Sequence, residues 1–161
     1  RLYNQTELIE LTASPVSGSE RLQERRQMAR ANYEKGIAYA AASEFHFAVE
    51  LLDQAVRADP RPEYWVALGR VQARNPNWRG RAIESYRAAL ELDPDNADVR
   101  FALGLLHEQT EDPERARVQF AAVVRLNPAH AEAAEHLAKL EPKRGGRAAG
   151  GSLFDRIFRR G

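Results

Sequence analysis

Four histidines, His46, His107, His130 and His136, are the side chains of this chain most suited to acid–base or metal chemistry near neutral pH. Their spacing argues against both. His107-Glu108-Gln109-Thr110-Glu111 begins like the paired-histidine zinc motif of a helix, but its fifth position holds glutamate, so the second ligand is missing. His130 and His136 stand six apart, which on one helix puts them on different faces. There are no cysteines, and so neither disulfides nor thiolate metal sites. No glycine-rich phosphate loop is present, because Gly145-Gly146 and Gly150-Gly151 fall in a linker-like stretch. Acid pairs such as Glu111-Asp112 belong to turns and helix starts. No catalysis, no cofactor and no metal site is expected.

Charge is the next chemistry to place. From Lys143 onward six basic residues face one acidic residue, net +5, while the remainder has 18 basic and 22 acidic residues, net −4. Arg70, Arg74, Arg79 and Arg81 cluster near Trp65 and Trp78, but a nucleic-acid surface announces itself by a basic balance that this acidic body lacks. Those arginines are expected to be solvated or paired with acids such as Glu63 and Glu84. No run of 18 apolar residues occurs, so no helical span of a membrane is expected.

These residues must be held by elements, and the sequence predicts helices in a regular series. Ala48, Ala82 and Ala116 are spaced by 34, as are Leu52, Tyr86 and Phe120, then Ala55, Ala89 and Val123, and Pro60, Pro94 and Pro128. A period of this length marks stacked helical hairpins rather than one closed core. Gly36, Gly69 and Gly104 interrupt helical patterns at a cost of about 1 kcal/mol each, which is expected where a neighbouring helix crosses closely. Ala48, Ala82 and Ala116 are read as the opposing small contacts, with Leu52, Tyr86 and Phe120 filling the space beside them. The prolines end the second helices, Asp112-Pro113 reads as a cap followed by a first-turn proline, and Ser17-x-x-Glu20 reads as a capping box opening a helix that runs to about Ala42. Gly69 lies one residue early, so the turn at Arg61-Pro62 is one residue short and Arg74-Asn75-Pro76-Asn77 carries the extra residue.

These positions resemble the tetratricopeptide repeat (TPR). Trp65, Leu68, Gly69, Ala82, Tyr86, Ala89 and Pro94 fit one unit; Leu103, Gly104, Ala116, Phe120 and Pro128 fit the next. Gly36, Tyr39, Ala48, Leu52, Ala55 and Pro60 fit the preceding one. The resemblance implies an all-α fold: a right-handed superhelix of three hairpins plus a C-terminal capping helix. The division expected is an N-terminal segment and linker over 1–18, the repeat domain over 19–142, and a basic tail over 143–161. Within the domain the repeats take about 29–61, 62–96 and 97–130, with the capping helix over 130–141. A short helix is also expected within Arg1–Thr12.

The resemblance further implies a non-catalytic module that binds a protein or peptide in a groove lined by the first helix of each hairpin. The inner positions are then Arg30, Tyr33 and Ile37 in the first repeat, Val66, Arg70 and Arg74 in the second, and Phe101, Leu105 and Gln109 in the third. Tyr33 and Ile37 replace the lysine and asparagine that hold a terminal carboxylate in some chaperone-binding members. An amphipathic helix or extended peptide with apolar anchors and an acid therefore suits the groove better. In the tail, Leu153, Phe154, Ile157 and Phe158 share one helical face and Asp155, Arg156, Arg159 and Arg160 the other. The tail reads as an anchor for a partner groove or an anionic membrane surface, as a docking segment for this protein's own repeats, or as a solvated end. The chain begins at Arg1 rather than Met, which suggests a fragment, read as the C-terminal part of a larger protein; arginine outnumbers lysine 21 to 3, which with abundant alanine suggests a bacterial source, and a cytoplasmic location is expected. Bacterial proteins that join a J-domain to such repeats and end in a basic-aromatic tail are similar in arrangement. A co-chaperone fragment and a structural oligomerisation module are the other two readings.

Overall fold

The computed structural model describes residues 17–141. The helix expected within Arg1–Thr12, most of the linker before Gly18, and the tail from Lys143 lie outside the described residues. Seven α-helices follow one another: α1 (Gly18–Ala41), α2 (Phe45–Ala58), α3 (Pro62–Gln72), α4 (Arg79–Leu92), α5 (Ala97–Gln109), α6 (Pro113–Leu126) and α7 (Ala131–Leu140). Among the described residues there is no strand. Each helix packs mainly on its neighbours in the chain, so α1–α2, α3–α4 and α5–α6 form three stacked hairpins and α7 covers the last.

Helix ends are set by local chemistry. Ser17 opens α1 with a full capping box: its hydroxyl accepts from the Glu20 N–H at 3.2 Å, and its own N–H donates to the Glu20 carboxylate at 2.7 Å. Asn96 and Asp112 cap α5 and α6 through the N–H groups of Val99 and Arg115. His130 does the same for α7, its Nδ1 accepting from the Ala133 N–H at 3.1 Å. α1 and α5 both end in a left-handed residue, Ser43 at φ 65° and Glu111 at φ 58°. In each case the amide of the following residue turns back onto the last helical turn, Glu44 N–H to Tyr39 and Asp112 N–H to His107, both at 2.9 Å. The second hairpin is built differently. Its early Gly69 shortens the entry turn, and the extra chain at the tip forms a 3₁₀ turn over Pro76–Trp78.

The core follows the 34-residue columns. Ala48, Leu52, Ala55, Ala82, Ala116, Phe120 and Val123 are completely buried, and Tyr86 and Ala89 nearly so. They fall into three consecutive clusters, with half-buried Trp65 bridging the first two. The crossings differ in one respect from the sequence reading. A Cβ added at Gly104 would lie 2.7 Å from Phe120 Cε1, and Gly36 and Gly69 meet Leu52 and Tyr86 in the same way. The large side chain itself lies over the glycine, and the alanine column packs beside that contact.

Three described inner residues, Gln72, Ser85 and His107, are polar yet buried. The Ser85 hydroxyl donates to Gln72 Oε1 at 2.7 Å, which joins α3 to α4 inside the stack. His107, in the corresponding register on α5, is 4% exposed, and burial pushes its imidazole below the ordinary range although Asp112 pulls the other way. No described helix is long and apolar enough to cross a membrane.

Candidate functional site

Stacking the first helix of each hairpin side by side leaves a cavity of about 650 Å3 between them. α1 contributes Tyr33, Ile37, Ala40 and Ala41; α3 contributes Glu63, Val66, Ala67, Arg70 and Val71, with Arg74 just beyond its end. Tyr86 on α4 closes the floor, and Asp93, Asn96, Asp98, Val99 and Ala102 form the far wall.

Packing beneath the cavity places several of its side chains. The Tyr33 ring stacks on Tyr64 at 4.6 Å between centroids, which fixes the α1 wall against α3. The Arg74 guanidinium lies over the Phe45 ring at 5.8 Å. Burial raises the Tyr86 phenol above its ordinary range, with Arg70 pulling it partly back, so Arg70 acts on the cavity floor. Ile37 is 41% exposed although apolar.

The charges divide across the groove. Glu63 sits in the first turn of α3, and Asp93 and Asp98 flank the start of α5, giving an acidic edge. Arg70 and Arg74 stand at the other end of α3. Seven residues from Glu63 to Arg70 span about 10 Å of helix, so the edges are about one helix diameter apart. The arginines were expected to be solvated or paired with acids such as Glu63 and Glu84. Glu63 approaches Arg61 at 3.7 Å and Glu84 binds Arg87 at 3.3 Å. Among the described residues Arg70 and Arg74 are exposed and make no ion pair.

Five of the nine residues expected in the groove therefore meet in one cavity: Tyr33, Ile37, Val66, Arg70 and Arg74. The other four do not line it. Arg30 is exposed on α1 and binds Glu34 one turn on, at 2.8 Å. Phe101 lies one interval further along the stack, its ring 4.7 Å from His130 and 5.7 Å from Phe120, and Leu105 packs into the same cluster. The physical reason is α7, whose His130 and His136 take the space that is open in front of Tyr33 and Ile37. His136 is itself held by Glu108 at 2.9 Å. Gln109 ends α5 and is exposed. The wall from Asp93 to Ala102 was missed in sequence, since it uses the turn before α5 and the helix face one residue on from Phe101. The tail residues Leu153, Phe154, Arg156, Ile157, Phe158, Arg159 and Arg160 lie outside the described residues.

The cavity thus combines apolar side chains with two guanidinium groups that make no ion pair among the described residues along one edge and carboxylates along the other. Models of the tetratricopeptide repeat match residues 33–80, 80–110 and 97–130. The chain belongs to the tetratricopeptide repeat family. Its TPR hairpins form the superhelical solenoid of that family. Solved structures agree on the fold. The first TPR domain of Spaghetti (RPAP3) bound to the HSP90 peptide SRMEEVD is 22% identical, with a TM-score of 0.65 over 71% of this chain and 91% of that one. YrrB, a TPR protein described as having an unusual peptide-binding site, is 26% identical, with a TM-score of 0.63 over 70% of this chain and 58% of its own. The Yersinia enterocolitica secretion chaperone SycD, solved with a peptide of the translocator YopD, is 13% identical, with a TM-score of 0.63 over 69% and 90%. No curated protein matches the chain in sequence.

Proposed function

We propose that this TPR chain is a non-catalytic adaptor that binds a helix or extended segment of a partner protein across the groove between α1, α3 and α5. The observation that carries this reading is Arg70 and Arg74 standing without acid partners beside the apolar wall of Ile37, Val66 and Val71. An arginine and an aromatic at the centre of an interface can each be worth about 2 kcal/mol or more. The bound segment supplies apolar anchors for the floor and a carboxylate for the arginines. Structural neighbours solved with peptides support the binding of a protein segment. The groove lacks lysine and asparagine at Tyr33 and Ile37, so the carboxylate comes from a side chain and not from a chain terminus.

The module is proposed to work in the bacterial cytoplasm as part of a larger protein, with a J-domain co-chaperone as one setting. Selection of displayed 12-residue peptides against the full chain tests the groove. Peptides with an acid between two large apolar residues are expected, and they should be lost when Arg70→Glu and Arg74→Glu are combined. Amidating the C-terminus of a selected peptide should leave its affinity unchanged. Peptides that ignore the charge reversal would place the site elsewhere. Light scattering separates an adaptor from an oligomerisation element, which would form assemblies without any peptide.

A further inference from the structure

The groove has two opposite edges and an apolar floor, and one segment of the chain carries the matching pattern. On a helix over Ser152–Arg160, Leu153, Phe154, Ile157 and Phe158 form a single stripe. Successive residues turn by about 100°, which follows from 3.6 residues per turn. Arg156 and Arg160 then flank the stripe on one side, Asp155 flanks it on the other, and Arg159 points directly away. That is a basic edge, an apolar face and an acidic edge. The cavity presents Asp93 and Asp98 on one edge, the apolar wall of Ile37 and Val66 above Tyr86, and Arg70 and Arg74 on the other edge.

We infer that residues 152–160 of this chain dock in their own TPR groove and hold it against the partner until a tighter segment displaces them. The inference rests on the groove being the binding site.

Three further points support this occupant. The first is charge. Asp93 and Asp98 line the cavity, Glu91 and Asp95 lie close to them in sequence, and none of the four forms an ion pair among the described residues. Arg100, two residues on from Asp98, is turned to the Pro94 carbonyl at 2.9 Å and to Gln119. The tail, at net +5, supplies what this wall lacks. The second is reach. Eleven residues separate Glu141 from Leu153, and the twelve Cα steps between them extend to about 40 Å. The groove lies two helix spacings from α7, about 20 Å. That stretch includes Gly145, Gly146, Gly150 and Gly151. The third is energetics. Nine residues do not hold a helix alone in water, so this stripe needs a surface to order it. A tether of this length gives an effective concentration on the order of 1 mM, so even millimolar intrinsic affinity fills about half of the grooves.

The absence of cysteine allows a unique label. A nitroxide on Gly161→Cys in the full chain should cut the NMR intensities of the Ile37, Val66, Val71 and Val99 methyl groups by more than half. The tail change Phe154→Asp with Phe158→Asp, which leaves the folded body untouched, should restore them. The same loss should persist at 20-fold dilution. It should not appear when labelled chains without nitroxide are mixed with unlabelled chains that carry it. Groove methyls at full intensity would overturn the proposal, as would a loss that also appears in the mixed sample, which means docking between copies. Loss only on adding anionic vesicles would identify a lipid surface instead and would equally overturn it. Peptide capture that still depends on Arg70 and Arg74 would leave the groove reading standing in any of these cases.

Discussion

Gly104 and His107 sit one turn apart on α5 and show how single residues are constrained. Gly104 has no room for a side chain, since Phe120 occupies the space 2.7 Å from where a Cβ would stand. Gly104→Leu should therefore lower stability by about 1–3 kcal/mol through overpacking. Gly80 on α4 has nothing within 4 Å of its Cβ position, so Gly80→Ala should raise stability, by up to about 1 kcal/mol. Chemical denaturation measures both, and equal effects would remove the close-approach argument. His107 is held neutral by burial, with its folded pKa below the unfolded one. The unfolded imidazole takes up a proton near pH 6.5 while the folded one does not. Stability should thus be unaffected by His107 above about pH 7 and should fall as pH drops through about 6.5. In His107→Gln, which copies the Gln72 of the same register on α3, the melting temperature should fall less between pH 7.5 and pH 5.5 than in the parent. Parallel pH curves would contradict the assignment. The glycine crossings could be read from sequence because glycine inside a helix is costly and needs a reason. The buried Gln72–Ser85 bond could not, because polar residues on a helix pattern read as surface until the covering hairpin is in place.

Helix ends were the most legible elements. Ser17, Asp112 and the prolines after α2, α4 and α6 carry local chemistry that does not depend on what packs nearby, and the helices begin and end beside them. Ser43 and Glu111 were invisible for the opposite reason. Neither residue type signals a left-handed conformation, yet both adopt one to close α1 and α5. That conformation costs an ordinary residue about 1–2 kcal/mol. Glu111→Gly should accordingly stabilise the chain by about 1 kcal/mol, since the exposed Glu111 side chain forms no ion pair among the described residues. Thermal melting of Glu111→Gly and of Ser43→Gly checks it, and a loss of stability in both would mean the turns gain more from the side chains than the backbone loses. The same contrast explains the third hairpin. The register placed Phe101 and Leu105 inward, but whether an inward position is open depends on the next element, and α7 brings His130 and His136 against them.

At the scale of the whole molecule, the repeat period marked the stack, and the family resemblance implied the first-helix positions, of which Tyr33, Ile37, Val66, Arg70 and Arg74 meet in one cavity. The acidic wall escaped because it is formed by the turn before α5 and by a helix face offset by one residue, neither of which the repeat pattern marks. The division of charge across the groove appears only when α3 is laid beside α5. Under the proposed function this division makes the groove directional, with a bound segment held by an apolar stripe and oriented by its charged flanks. Titration calorimetry of one selected peptide against the full chain tests this most directly, using the parent and the double variant Arg70→Ala with Arg74→Ala. The account predicts at least a tenfold loss of affinity in the variant, about 1.4 kcal/mol, with an unchanged melting temperature. Equal affinity in the two proteins would contradict it.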